Sequence, residues 1–196
     1  MIFASNNSHK LEEVRRILYP LPVKSLGDIG FNNEIEETGE TLEANSMIKT
    51  QAVVDWIEEN SKELRGEWVI ADDTGLEIAA LNGDPGVYTA RWAGEPANDA
   101  RNRQKALTLL RNETDRRARF RTVITLMRGE EVYQMDGIVQ GAIATEERGE
   151  RGFGYDAIFI PEGYEKTFAE LSEEIKNRIS HRARALQALQ TKLQEL

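Results

Sequence analysis

The stretch Trp68-Val69-Ile70-Ala71-Asp72-Asp73-Thr74-Gly75 decides the fold class. Its first four residues form a short apolar run of the kind that fills a strand buried on both faces, and the run stops at two adjacent carboxylates. A strand of that composition belongs to a sheet covered by helices, and ligands of such α/β sheets bind at the strand ends. Adjacent carboxylates repel, so one pKa rises unless a cation compensates both, and a metal ion is the economical answer. A solvated turn, with Asp73 capping the next segment, is the competing reading. Beyond it, residues 77–81 read as a further strand closed by the turn sequence Asn82-Gly83-Asp84-Pro85-Gly86.

Upstream, Ile2-Phe3-Ala4-Ser5 reads as a short buried strand, followed by Asn6-Asn7-Ser8-His9 and a helix in which Leu11, Val14 and Leu18 recur at helical spacing. Tyr19-Pro20-Leu21-Pro22 ends that helix, because proline cannot continue it and the residue before a proline avoids the α region. After an acidic stretch from Glu34 to Glu40, a second helix is expected from about Thr41 to Asn60. Its stripe of Leu42, Asn45, Lys49, Ala52 and Trp56 carries two polar residues among apolar ones. Residues 99–111 read as a helix with Ala106, Leu109 and Leu110 inward, capped by Asn98 or Asp99. Ala118, Phe120, Thr122, Ile124 and Leu126 alternate with polar neighbours, and Arg128-Gly129-Glu130 turns this strand into an antiparallel partner at 131–139. A strand comes next at 157–160, then a helical C-terminal region with Ile175, Ile179, Ala183, Leu186, Leu189 and Leu193 inward. Early strand–helix alternation with a later hairpin predicts an α/β protein with a mixed sheet.

The 196 residues, 40% hydrophobic and 30% charged, have the size and composition of one soluble globular domain, residues 1–196. No apolar run reaches membrane-spanning length, and the apolar start at Met1 lacks a leader's basic region and cleavage site, so a cytoplasmic location is expected. The absence of cysteine excludes disulfides, thiolate catalysis, zinc ribbons and iron–sulfur clusters. With only His9 and His181 as nitrogen ligands, a bound metal would be a hard cation on carboxylates, Mg²⁺ or Mn²⁺. A formal charge of −9 argues against binding a nucleic-acid polymer, but leaves room for a small anion where basic residues converge.

Four further segments carry chemistry. Glu36-Glu37 offers a second source of carboxylate oxygen, with a plain acidic loop as the alternative. Ser5-Asn6-Asn7-Ser8-His9-Lys10 gathers amide, hydroxyl and ammonium donors at a helix N-terminus, where the helix dipole favours an anion; it lacks the glycine pattern of a P-loop. Gly152-Phe153-Gly154-Tyr155-Asp156 interleaves aromatic rings with glycines, so a ring can lie against a purine, unless the rings are simply core. Lys176 and Ser180-His181-Arg182 are the last. In one unbroken helix Lys176 and His181 would point roughly 140° apart, so a break near Ile179-Ser180, with Ser180 as N-cap, is predicted to bring them to one site.

Taken together, these motifs resemble the inosine triphosphate pyrophosphatase family over nearly the whole chain. The resemblance rests on Ser5-Asn6-Asn7-Ser8-His9-Lys10, Glu36-Glu37-Thr38-Gly39, Ala71-Asp72-Asp73-Thr74-Gly75-Leu76, Pro85-Gly86-Val87-Tyr88-Thr89-Ala90-Arg91, Gly152 to Asp156 and Ser180-His181-Arg182, in the family's order. Asn6 stands where a glycine is common, Thr74 where a serine is, and Ala157 where a proline is. The resemblance implies an elongated mixed sheet flanked by helices, two lobes around a central substrate cleft, and a homodimer. It also implies hydrolysis of ITP, dITP and XTP to monophosphate and pyrophosphate. In that scheme Glu36, Asp73 and Asp72 would bind Mg²⁺, and Asp73 would act as general base. Ser5, Asn6, Asn7, Ser8, His9, Lys10, Lys49 and Thr74 would hold the triphosphate. Phe153, Gly154, Tyr155, Asp156, Lys176, His181 and Arg182 would hold the base. The chemistry of the residues agrees, since displacement at phosphorus depends on positioning and on cations that neutralise developing charge.

Overall fold

A computed structural model describes residues 1–196. Its six-stranded sheet has the order β1-β2-β4-β5-β6, with β3 paired to β2. The strands are β1 (Ile2–Phe3), β2 (Val69–Ile78), β3 (Pro85–Gly86), β4 (Arg117–Arg128), β5 (Glu131–Ile143) and β6 (Phe159–Pro161). Five helices accompany them: α1 (Ser8–Leu18), α2 (Leu42–Asn60), α3 (Asp99–Leu109), α4 (Glu173–Ile179) and α5 (His181–Glu195). β1 runs parallel to β2, whereas β3 on β2 and β6 on β5 are antiparallel, so the sheet is mixed as the pattern predicted. No helix is long and apolar enough to cross a membrane.

Local chemistry sets the helix starts. Asn7, Thr41, Asn98 and Ser172 are each extended, and each side-chain oxygen accepts an N–H from the first turn of its helix. In α1 the cap is therefore Asn7, and Ser8 is the first helical residue. On α2 the buried face is Leu42, Asn45, Ser46, Lys49, Thr50, Val53, Val54 and Ile57. The expected stripe was turned too far, because Ala52 and Trp56 lie at its margin, half-buried. Leu109 of α3 is 47% exposed, whereas Ala106 and Leu110 face the core as expected.

The main departure from the sequence reading is β2. Its ten residues continue through Asp72-Asp73-Thr74-Gly75, which is strand and not a terminal loop. The separate strand expected at 77–81 does not form; Glu77 and Ile78 close β2, and Ala79–Leu81 is a short 3-10 turn. The twelve-residue β4 neighbours β2 and gives its polar residues a ladder, so tertiary pairing overrides the turn propensity of Asp-Asp-Thr-Gly. Likewise β6 begins two residues later than expected, at Phe159.

The chain divides into two compact units. One comprises Met1–Asp73, Thr122–Gly137 and Arg184–Leu196; the other comprises Thr74–Arg121 and Ile138–Ala183. In the first unit, Ile2, Ala4, Val69 and Ala71 pack with Val53, Val54 and Ile57 of α2. Phe3 and Ile70 pack with Val14 and Leu18 of α1 and Leu186 and Leu189 of α5. Successive residues of one strand enter different clusters because strand side chains alternate faces. The second unit has one core, with Leu76, Ile78, Phe120, Tyr155, Phe159 and Phe168 at its centre. Each such side chain contributes about 1.5–3 kcal/mol on full burial.

Gly141 marks a close approach in that unit's sheet. A Cβ there would lie 2.3 Å from the Ile160 carbonyl oxygen and 2.6 Å from Phe159 Cζ. Backbone cannot yield as a flexible side chain does, so Gly141→Ala is expected to cost about 1–3 kcal/mol. Urea unfolding of the variant beside the parent protein measures it.

Candidate active site

One group of side chains forms around β2 in the first unit. Val69 and Ala71 face α2, and Ile70 faces α1, so the alternation carries Asp72 toward α1 and Asp73 toward α2. Each carboxylate meets a lysine of its helix. Lys10 Nζ donates to Asp72 Oδ1 at 3.0 Å, and Lys49 Nζ donates to Asp73 Oδ1 at 3.0 Å. Asp72 is 2% exposed and Asp73 7%, so both carboxylates are shielded from water. Burial raises the Asp73 pKa; Lys49 and Lys10 pull it down only in part, and Glu37 pushes it up again. Lys49 holds its proton more tightly than usual: burial loosens it, but Asp73, Glu37 and Asp72 together outweigh that effect.

α2 supplies a second link. Asn45 Oδ1 accepts the Gly39 N–H at 2.7 Å, and Asn45 Nδ2 donates to Asp73 Oδ2 over a long 3.4 Å. Gly39 fits because it lacks a Cβ, which would meet Asn45 Oδ1 and Ala44 Cβ at 2.7 Å. The acidic segment is thereby tied to Asp73, and Glu37 pairs with Lys49 at 3.3 Å. Glu36, the carboxylate expected from the sequence, is exposed beside it. Ser5 is half-buried, and Asn6, Asn7, Ser8 and His9 are exposed at the start of α1. There the first N–H groups of an eleven-residue helix join the Lys10 ammonium.

The second unit holds the other group. Asp156 Oδ2 accepts the Phe153 N–H at 2.9 Å and Lys176 Nζ at 2.7 Å, so this carboxylate folds the loop and fixes the ammonium at once. Gly152 must be glycine, with φ +77° and a Cβ position only 2.1 Å from Asp156 Oδ2. Gly154 donates to Asp99 Oδ2 at 2.8 Å and accepts from Arg103 at 2.9 Å. Tyr155 lies in the apolar core, 3% exposed, and its hydroxyl donates to the Thr89 carbonyl at 2.9 Å. It shapes the loop and offers no open face; the ring that keeps some exposure is Phe153, half-buried.

The predicted helix break is present. α4 ends at Ile179, Ser180 is extended, and its Oγ accepts the Ala183 N–H at 3.2 Å. The break lets Lys176 and Arg182 meet on the Phe153 ring, 4.8 and 5.8 Å from its centroid. His181 lies stacked on Phe120 at 4.5 Å and is 4% exposed. Arg182 is 1% exposed, and its guanidinium donates to Thr74 Oγ1 at 3.4 Å.

Half of the residues picked from the sequence fall into two groups: Lys10, Lys49, Asp72 and Asp73 in one unit, and Thr74, Phe153, Asp156, Lys176 and Arg182 in the other. Sequence reasoning gave no site role to Asp99, Arg103 and Thr89, and it singled out Asn45 and Glu37 without naming their partners. For Asn45 the signal was present, a buried-face amide beside Lys49. For Thr89 it was not, since nothing local says that its Oγ1 accepts the Leu76 N–H at 2.8 Å while its carbonyl holds Tyr155.

A mixed sheet with helices on it, whose strand β2 carries two buried carboxylates each paired with a lysine, fits an α/β protein that handles a small anionic ligand. The chain matches the Ham1 family over residues 1–192 and belongs to that family. It is 47% identical over 193 residues to the dITP/XTP pyrophosphatase of Bacillus subtilis (strain 168), covering 96% of this chain and 93% of that one. It is 45% identical over 190 residues to the dITP/XTP pyrophosphatase of Flavobacterium johnsoniae, covering 96% and 95%. Among solved structures, the Staphylococcus aureus Ham1 protein superposes with a TM-score of 0.86 at 41% identity, covering 99% of this chain and 97% of that one. A HAM1 protein from Coxiella burnetii gives 0.86 at 40% identity, covering 100% and 98%.

The Asp156–Lys176 pair is buried at both ends, with side-chain exposures of 6% and 8%. Asp156→Ala would strand the ammonium and release the Phe153 N–H, so a loss of about 3–5 kcal/mol in unfolding free energy is expected. Denaturant titration followed by far-ultraviolet circular dichroism reads it.

Proposed function

We propose that this protein hydrolyses deaminated purine nucleoside triphosphates, ITP, dITP and XTP, to the monophosphate and pyrophosphate, clearing them from the nucleotide pool. The observation that carries this reading is Asp73, a buried carboxylate with raised proton affinity, held between Lys49 and Asn45. The names of the relatives point the same way.

Asp73 acts as the general base. A carboxyl whose pKa is raised by burial accepts a proton more readily than a solvated one. It orients a water and takes its proton as the oxygen attacks the α-phosphorus. The bond from that phosphorus to the bridging oxygen breaks, and the electron pair leaves with pyrophosphate. Lys10, Lys49, the donors of Ser5, Asn6, Asn7, Ser8 and His9, and Thr74 hold the phosphates. The Phe153 ring stacks on the base, with Gly154 giving close approach, Tyr155 and Asp156 fixing the loop, and Lys176, His181 and Arg182 facing the purine edge. Ammonium and guanidinium groups only donate, so they suit a 6-oxo acceptor and meet adenine's 6-amino group donor to donor.

Mg²⁺, or Mn²⁺ in its place, belongs to this proposal. No three His, Asp or Glu side chains are grouped to hold a metal by themselves. Mg²⁺ does not ask for such a cage, since it binds through one or two carboxylates together with substrate phosphates and water. Asp73 and the exposed Glu36 fit that donor set, and Asp73, under-compensated by its lysines, gains from another cation. The ion would supply neutralisation of charge on the phosphates. One catalytic domain over residues 1–196, assembled as a homodimer and working in the cytoplasm, completes the proposal.

With dITP and Mg²⁺, the expected phosphorus product is pyrophosphate, and chelation with EDTA abolishes turnover until Mg²⁺ is restored. Asp73→Asn is expected to lower kcat by about 100-fold or more. Orthophosphate as the direct product, or an unimpaired Asp73→Asn enzyme, contradicts the mechanism.

A further inference from the structure

The two adjacent aspartates have separable tasks, and Asp72 has yet to receive one. We propose that Asp72 is a positioning residue for Lys10 and neither a metal ligand nor a base, an inference that rests on the triphosphate reading above. Three observations on β2 lead to it. First, the strand continues through both residues, so their side chains leave on opposite faces. Second, the faces can be told apart by packing, with Ile70 among the side chains of α1 and α5 and Val69 and Ala71 among those of α2. Third, the partners obey the same division. Asp72 Oδ1 takes the Lys10 ammonium at 3.0 Å, whereas Asp73 takes Lys49 from α2.

The exposures of the pair fit this task. The Asp72 side chain is 1% exposed and that of Lys10 17%, so the carboxylate is sealed in while the ammonium keeps an open side. A lysine side chain has several rotatable bonds and gives up much freedom when fixed. Asp72 holds its end in the first turn of α1, where the capping Asn7 takes the Lys10 N–H at 3.0 Å. An anion that docks there meets a charge already in place. Asp73 is different, since its second oxygen faces only the long contact from Asn45 and remains the better acceptor for a water proton.

The test is a double-mutant cycle on Asp72→Asn and Lys10→Gln. If Asp72 acts through Lys10, each single change lowers kcat/KM for dITP by about tenfold, mainly through a raised KM, and the double change does little more. KM raised by about a hundredfold in the double variant means independent roles and overturns the proposal, as does an Asp72→Asn enzyme whose kcat collapses like that of Asp73→Asn. Calorimetric affinity for inorganic tripolyphosphate carries the same cycle without turnover or a base. If the parent protein fails to release pyrophosphate from dITP, the functional reading falls, while additive losses in tripolyphosphate affinity bring down the positioning role by itself. Urea unfolding checks that each variant is folded, and Asp72→Ser repeats the cycle if the amide is not tolerated.

Discussion

A carboxylate that loses nearly all contact with water must find compensation, and around Asp73 that requirement organises the first unit. Burial raises the proton affinity of the group, and two lysines only partly reverse it. Lys49 can reach Asp73 because α2 carries it on its buried face, 7% exposed. It is tolerable there because it pairs with Asp73 and Glu37 and feels the charge of Asp72 as well. Asn45, one turn earlier, touches the remaining oxygen and pins the Gly39 backbone, so the acidic segment is placed by the same helix that places the lysine. Buried ionic groups are weak contributors to stability, which makes so many of them on one strand and its helices a mark of chemistry.

The second unit repeats the principle with different parts. Asp156 commits its carboxylate to a loop N–H and a lysine, which leaves the Phe153 ring presented with two cations against it. The interruption at Ser180 is what makes this possible, since residues on either side of one helix could not both reach the ring. Here the chain accepts the loss of helical continuity to gain a geometry, and the Ser180 cap recovers part of it.

Much of this could be read from residue order. The start of α3 came from the Asn98 cap, the turn at Gly129 from its composition, and the break at Ser180 from the mismatch between helical rotation and the positions of Lys176 and His181. The extent of β2 could not be read. Asp-Asp-Thr-Gly has the local chemistry of a turn, and only the presence of β4 alongside makes it strand. That single difference changed the meaning of the acidic pair, from two ligands converging at a loop to two carboxylates on opposite faces. Side-chain identity likewise marked Tyr155 as a ring and not as a core ring, because burial is decided by Leu76, Ile158 and other partners that only the folded chain brings to it. Contacts such as Thr89 with Tyr155, 66 residues apart, have no local signature.

Attack of water on the α-phosphorus, with Asp73 as the activating base, is the step on which the proposed chemistry stands. Hydrolysis of dITP in water enriched in oxygen-18, with mass analysis of both products, addresses it directly. The label is predicted in the nucleoside monophosphate, with pyrophosphate unlabelled. Label in the pyrophosphate would mean attack at the β-phosphorus and would contradict the account.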